Sequence, residues 1–242
     1  HYALNSKWDS TLRLGYTQDS QEGQAGNIFG RAIPIDLTNQ LWIAHWENSH
    51  PIKLDQQTKN INMVWGIDTQ HQQGTSYLNS VSQLDRANTI VSPIFRAEFK
   101  IIDWSGNVVL RHDFDARYGD HTVFTVGASW QISKKMQLWG KAGNGYRSPA
   151  VNELLHPLFG SLNLQPETSR GGEVGWRWQP SRLDELSLSG YFQEYNNLIV
   201  MEQNPYSGSM GSINHKNAEV WGADLSIKHT WNTKWQSEFS YG

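Results

Sequence analysis

Residues 122–132 read TVFTVGASWQI, and the alternation in this stretch decides the fold. Thr122, Phe124, Val126, Ala128 and Trp130 fall on one face of an extended chain, and Val123, Thr125, Gly127, Ser129 and Gln131 on the other. Residues two apart share a face only in a strand, so a greasy face backed by a small or polar one reads as β-structure. Working outward, the same split sets Ile61, Met63, Trp65 and Ile67 against Asn62, Val64, Gly66 and Asp68. It sets Phe95, Ala97, Phe99 and Ile101 against Arg96, Glu98 and Lys100, and Trp221, Ala223, Leu225 and Ile227 against Gly222, Asp224, Ser226 and Lys228. A soluble sandwich would bury the apolar face and leave the charges in water. A membrane barrel would turn the apolar face to lipid and the charges to its lumen. One strand fits both architectures, so the connections must choose.

About eleven strands are predicted, at residues 8–18, 39–49, 58–70, 90–103, 107–116, 120–132, 135–146, 172–179, 185–199, 211–230 and 235–242. The connections at 104–106, 133–134, 180–184 and 232–234 are short, and those at 19–38, 71–89, 147–171 and 200–210 are long and polar. Residues 50–57 make a longer turn than their class predicts and 118–119 a shorter one. Short turns at one end and long loops at the other are the outer-membrane pattern. Trp8, Trp104, Trp130, Trp178, Trp231 and Trp235 lie beside the short-turn end, where an indole sits at headgroup depth with its N–H hydrated.

Composition agrees. The chain has 242 residues, a formal charge of -3, no cysteine, 12 Trp, 9 Tyr and 8 Phe, with a mean hydropathy of -0.60. No apolar run approaches the roughly 18 residues that a helical span needs. A barrel hides its hydrophobicity in every second residue, so a low average is no argument against a membrane. The lack of Cys excludes disulfides, thiolate metal sites and a Cys nucleophile. Near-neutral charge without a basic run gives no nucleic-acid footprint.

No catalytic constellation stands out: there is no Gly-x-Ser-x-Gly elbow, His-Glu-x-x-His helix or phosphate-cradling glycine loop, so an enzyme is not expected. His45, His112, His121 and His229 sit on or beside strands without a spaced metal partner, and neither a resident metal nor a cofactor is predicted. The inward ionisable set is Arg13, Asp68, Arg96, Glu98, Lys100, Arg111, Asp113, Lys141, Glu173, Arg177, Asp224 and Lys228. Mixed signs on one face suit either pairing across strands or contact with a polar plug.

Residues 145–169, GYRSPAVNELLHPLFGSLNLQPETS, place a Gly-aromatic-Arg-x-Pro corner ahead of a Leu-x-Pro-Glu-x-Ser re-entry. Downstream follow Glu173-Val174-Gly175, the strand from Tyr191-Phe192 to Leu198-Ile199, and the run from Asn214 through Ala218 to Gly222-Ala223-Asp224. The order and spacing of these blocks resemble the barrel of TonB-dependent outer-membrane receptors, most similar in general appearance to the vitamin B12 and siderophore receptors. The resemblance covers nearly the whole chain. It implies an all-β antiparallel transmembrane β-barrel in the bacterial outer membrane, of which residues 1–242 supply about eleven meander strands of an expected 22 or so. Signal peptide, plug domain, energy-coupling box and closing strands are not recognised, so the chain reads as a fragment.

The resemblance further implies uptake of a metal chelate such as cobalamin or an iron-siderophore, with the inner-membrane energy-transducing protein TonB as partner through a plug. It places Tyr146, Arg147, Asn152, Glu153, His156 and Phe159 on a ligand-binding extracellular loop; the alternation turns Arg96, Glu98, Arg111, Asp113, Glu173, Arg177 and Asp224 toward lumen and plug, and of these Arg111, Asp113 and Glu173 match residues of the family pattern. Haem receptors of the family carry a histidine between an aromatic-Arg-Ala-Pro box and an Asn-Pro-Asn-Leu box. His156 stands between Tyr146-Arg147-Ser148-Pro149 and Ser161-Leu162-Asn163-Leu164, which leaves a haem receptor with His156 as axial ligand as an alternative. Ser148 in place of Ala and Ser161-Leu162 in place of Asn-Pro depart from that pattern. A passive porin or adhesin barrel is the other alternative.

Overall fold

The computed structural model describes residues 2–5, 8–28, 31–53, 59–79, 81–203 and 210–242. They form β1 (Tyr2–Asn5), β2 (Trp8–Ile28), β3 (Arg31–Lys53), β4 (Lys59–Leu78), β5 (Val81–Ile101), β6 (Trp104–Asp115), β7 (Gly119–Ser133), β8 (Met136–Arg147), a short helix α1 (Val151–Leu155), β9 (Glu167–Trp178), β10 (Asp184–Gln203), β11 (Met210–Thr230) and β12 (Gln236–Tyr241). The strands follow one another in a single 12-stranded sheet, in the order β1 to β12. Neighbours pair antiparallel throughout, and among the described residues β1 and β12 do not close on each other.

Register carries the alternation of residues 122–132 across the sheet. Trp130 faces Leu138, Leu138 faces Trp176, Trp176 faces Leu188 and Leu188 faces Leu225. Because the side-chain period is two, this one row fixes the face of every residue beside it. Phe95, Leu110, Phe124 and Val126 therefore share an outward apolar face, while Arg96, Arg111, Lys141, Glu173 and Asp224 share the opposite one. Phe95, Leu110, Phe124 and Val126 are all exposed, as a lipid-facing surface should be.

Two departures from the expected strands stand out. Tyr2–Asn5 pairs with β2, a strand too short to leave a pattern in the sequence. More important, of the expected long loops at 19–38 and 71–89, residues 19–28, 31–38, 71–78 and 81–89 continue the strands: Asp19 pairs with Asn39, Gln21 with Leu37, His71 with Thr89 and Gly74 with Arg86. A strand of 20 residues such as β4 extends about 65 Å, far beyond an apolar band about 25 Å tall. Above the band neither face meets lipid, so stretches such as QHQQGTSY carry no apolar alternation. The backbone ladder with the neighbouring strand supplies the partners that keep them extended. The expected connections at residues 50–57 and 200–210 fall largely on residues 54–58 and 204–209, outside the described residues.

Among the described residues the compact core lies at the long-loop end. Leu37 of β3 packs with Val151, Leu154 and Leu155 of α1 and with Leu164, and Ile199 of β10 flanks them. Leu155 is fully buried. The spacing of 151, 154 and 155 is i, i+3, i+4, which puts all three on the inner side of the helical turn. A side chain at Gly74 of β4 would collide with Val151 and Leu155, so glycine there is what lets α1 sit against the wall.

Candidate functional site

The connection from β8 to β9 leaves the sheet at Arg147 and returns at Glu167, beyond the outward apolar band that ends near Phe124 and Phe192. Arg147 fastens both ends. Its Nε donates to Glu167 Oε2 at 2.5 Å, and its Nη1 and Nη2 donate to the two oxygens of Glu153 at 3.0 and 3.1 Å. Glu153 Oε2 also accepts from the Ala150 N–H at 2.7 Å, closing the first turn of α1. Glu167 Oε1 accepts from the Ile199 N–H at 2.6 Å and ties the return to β10. Hydrogen bonds from Arg147, chiefly, hold Glu167 below its ordinary range, and the bonds to Glu167 and then Glu153 raise Arg147. Farther round, Asn214 of β11 bonds the backbone of Gln165 in both directions, at 2.8 and 2.9 Å, and Phe159 O accepts from the Ser212 N–H at 2.8 Å.

Beside this loop, Asp115 at the end of β6 gathers four donors: Arg117 N at 2.9 Å, Tyr118 N at 3.1 Å, Ser148 Oγ at 2.7 Å and Tyr146 Oη at 2.9 Å. Only 4 % of it is exposed. A buried carboxylate with this many donors is a satisfied hub and has little capacity left for a ligand. Tyr146 also stacks on His121, with centroids 3.9 Å apart. Gly119, with φ of 82°, makes the tight β6–β7 turn that brings Arg117 and Tyr118 back over Asp115.

A cavity of about 370 Å³ opens between these groups and the inner wall, lined among others by Arg86, Asn88, Arg117, Tyr118, Tyr146 and Ser148. The Tyr118 hydroxyl is buried without a hydrogen-bond partner, and burial pushes its pKa up. Arg86 reaches only the Asp85 carbonyl, and the Arg117 guanidinium lies 5.4 Å from the Tyr118 ring centroid. Among the described residues neither arginine has a carboxylate partner.

The six loop residues expected to bind ligand thus divide. Tyr146 and Arg147 line the cavity, but their polar atoms serve Asp115, Glu153 and Glu167. Asn152 is exposed on α1. His156 caps α1, its ring stacked on Phe159 with centroids 3.3 Å apart, and its Nδ1 accepts from the Leu158 N–H at 3.2 Å. Burial lowers its pKa, which favours the neutral ring. Arg86, Arg117 and Tyr118 were missed by sequence reasoning. The Tyr-Gly at 118–119 was the available signal, read there only as a short turn.

The wall residues expected to face the lumen all lie on the inward face. Glu173 pairs with Lys141 at 2.7 Å, Arg177 with Glu185 at 3.5 Å and Arg111 with Asp113 at 2.9 Å. Asp113 is 2 % exposed and also accepts from Ser92 Oγ at 2.6 Å. Arg96 stands between Val64 and Val109, Glu98 between Asn62 and Asn107, and Asp224 opposite Ser189. Among the described residues no cluster of His and acidic side chains has the geometry to hold a metal.

An antiparallel meander with an exposed apolar exterior, a charged inner wall and a loop folded inward over it is the wall of a membrane-type β-barrel. The whole chain, residues 1–242, matches the family described as TonB dependent receptor-like, beta-barrel, and it belongs to that family. It is 26% identical over 225 residues to the vitamin B12 transporter BtuB of Photobacterium profundum, covering 92% of this chain and 35% of the relative. It is 23% identical over 235 residues to the BtuB of Vibrio vulnificus, covering 90% and 35%. The chain therefore spans about a third of the length of these curated relatives. The crystal structure of the siderophore receptor PirA from Acinetobacter baumannii superposes with a TM-score of 0.71 at 16% identity, over 98% of this chain and 42% of PirA.

Proposed function

We propose that the complete protein is an outer-membrane active transporter that captures a metal chelate, cobalamin or an iron-siderophore, at its long-loop end and passes it through a lumen gated by a TonB-coupled plug. The observation that carries this reading is the inward-folded 148–166 loop beside the cavity under Tyr118 and Arg117. An inward loop alone would also serve to constrict a passive pore; what favours a receptor is that this loop leaves a preorganised concave surface with few, well-placed polar groups. Arg86, Arg117 and the Tyr118 hydroxyl are donors with unspent capacity, suited to the carboxylate, phosphate or amide oxygens of a chelate. The likeness to vitamin B12 transporters supports cobalamin, and the shared fold with a siderophore receptor is compatible with iron chelates.

The haem reading has less support. An axial histidine must offer a ring lone pair to iron, but the His156 ring is stacked on Phe159 and its Nδ1 accepts from the Leu158 N–H, so ligation would have to break contacts it already makes. The test is uptake of labelled cyanocobalamin, a ferric siderophore and haem by cells that lack their own receptors and express the complete protein. Uptake of cobalamin or the siderophore, abolished when TonB is removed, is expected. Uptake that persists without TonB, or haem uptake lost in His156→Ala, would overturn the proposal.

A further inference from the structure

The lipid-facing wall carries a feature that ligand transport leaves unused. On the outward side of β7 to β10, Trp104, Trp130, Leu138, Trp176 and Leu188 wall a groove of about 680 Å³. Trp104 and Trp130 stack face to face, with centroids 5.3 Å apart and planes 2° from parallel, and Trp176 lies nearly parallel to Trp178 at 6.3 Å. Paired indoles have few rotamers to lose, so these walls stand without a ligand to prop them.

Beyond the same strands, at the short-turn end, Lys134, Lys135, Gln179, Ser181 and Arg182 line a second depression of about 460 Å³. The two β-turns are joined by the Gln179 N–H, which donates to Lys135 O at 2.7 Å. Counting back from β8, Lys134 stands four residues from Leu138 and six from Gly140, even offsets that keep it on their face, roughly 13 to 20 Å away. Among the described residues none of the three cations has a carboxylate partner. The nearby acids are already engaged: Asp184 accepts from Ser181 Oγ at 2.6 Å and holds His229, and Glu185 takes Gln179 and Arg177.

An unneutralised cationic cradle at headgroup depth, in line with an aromatic-walled apolar groove, has the charge and the polarity gradient of one amphiphile. From this geometry we infer that the β7–β10 sector holds an anionic phospholipid of the periplasmic leaflet, its phosphate on Lys134, Lys135 and Arg182 and an acyl chain in the groove. A zwitterionic lipid brings its own ammonium to the cradle, where it meets three like charges, so the site selects against it. This inference rests on the membrane reading above but not on the identity of the transported ligand.

The test uses the complete receptor in nanodiscs of phosphatidylethanolamine with a minority of phosphatidylglycerol, and native mass spectrometry of the lipid that survives detergent exchange. Phosphatidylglycerol should be retained in preference to phosphatidylethanolamine. Each basic residue at a membrane surface contributes about fivefold to anionic-lipid binding, so Lys134→Gln, Lys135→Gln and Arg182→Gln combined should cut that preference roughly a hundredfold. Gly190→Leu should cut retention by filling the groove. A Cβ at Gly190 meets nothing nearer than Gly222 O at 3.8 Å, so the barrel tolerates it. Lys234→Gln, a cation at the same end but in the β11–β12 turn, should leave the preference unchanged. Heat-modifiable gel migration of each sample separates an unfolded barrel from a lost lipid. Equal retention of both lipids by the wild type, an equal effect of Lys234→Gln, or a polypeptide in place of lipid on the groove would overturn the inference.

Discussion

Replacing Arg147 by methionine, which keeps the aliphatic stem and removes the guanidinium, should unfasten the 148–166 loop while leaving the sheet intact. In the wild type the side chain makes three charge-assisted bonds, one to Glu167 and two to Glu153. Shielded bonds of this kind contribute about 1.5–3 kcal/mol each. The Arg147 side chain is 44 % exposed, so screening brings the group of three down to about 2–3 kcal/mol in total. At about 1.4 kcal/mol per decade, loop opening should rise roughly 30- to 150-fold.

Amide hydrogen exchange measures this where the loop bonds itself: Leu154 to Ala150 O, His156 to Asn152 O, Gly160 to His156 O and Ser161 to Glu153 O. Protection at these four amides should fall by that factor, with the β6–β7 ladder unchanged. Acid should mimic the substitution. Because the pKa of Glu167 is depressed in the folded chain, its contribution is complete above its ordinary value of 4.5 and lost as pH falls through the lower folded value. The wild-type loop should therefore lose protection in that window, and the methionine variant should show little further change. Undiminished protection in Arg147→Met would refute the clamp and assign the loop's order to the Leu155 and Leu164 core alone.

Val126→Arg, on the outward face in the middle of β7, should destabilise the folded barrel by about 2–4 kcal/mol in lipid, whereas Ser129→Arg on the inward face should cost far less; equal losses in urea-unfolding titrations would mean the register is off by one. Leu158→Cys, in the exposed part of the loop, should be labelled on whole cells by an impermeant maleimide and Ser133→Cys should not, and the reverse pattern would invert the sidedness. Ile102 occupies the β5–β6 turn with φ of 52°, a conformation that costs a β-branched residue about 1–2 kcal/mol, so Ile102→Gly should raise the unfolding midpoint; a lowered midpoint would show that its apolar anchoring at the interface outweighs the strain.

The parts of this fold that were legible from sequence are those where the two faces of a strand meet different solvents. From Thr122 to Trp130 lipid selects one parity and lumen the other, and the structure follows that split residue for residue. Where β2 to β5 rise above the membrane both faces are wet, and the chain leaves no alternation to read; only the register, with Gln21 opposite Leu37 and His71 opposite Thr89, shows them as strands. Helix α1 fell below notice for a different reason. Five residues make one turn, and VNELL carries its i, i+3, i+4 apolar triad inside a segment otherwise rich in turn residues. The site was legible in part: Tyr146 and Arg147 close β8 and Glu153 lies on α1, all at the segment that the sequence marks out. Their partners Asp115 and Glu167 lie 31 and 20 residues away from Tyr146 and Arg147, and only strand pairing brings them near.

That pairing also explains how a loop in water stays ordered. Fixing the backbone costs about 1–2 kcal/mol per residue, and the few side chains around Leu155 bury too little apolar surface to offset it for the whole of 148–166. The remainder must come from polar ties anchored on the wall, and Tyr146, Arg147, Glu153 and Asn214 provide them. A side chain committed to such a tie can meet a ligand only by breaking it. Ligand contact is therefore expected from groups the scaffold does not use, Arg86, Arg117 and the hydroxyl of Tyr118 on the cavity wall and Asn152 on the exposed side of α1. The residues that make the 145–169 segment recognisable are thus largely those that build this framework, and under the proposed function the ligand would be read by the less conspicuous residues that it holds in place.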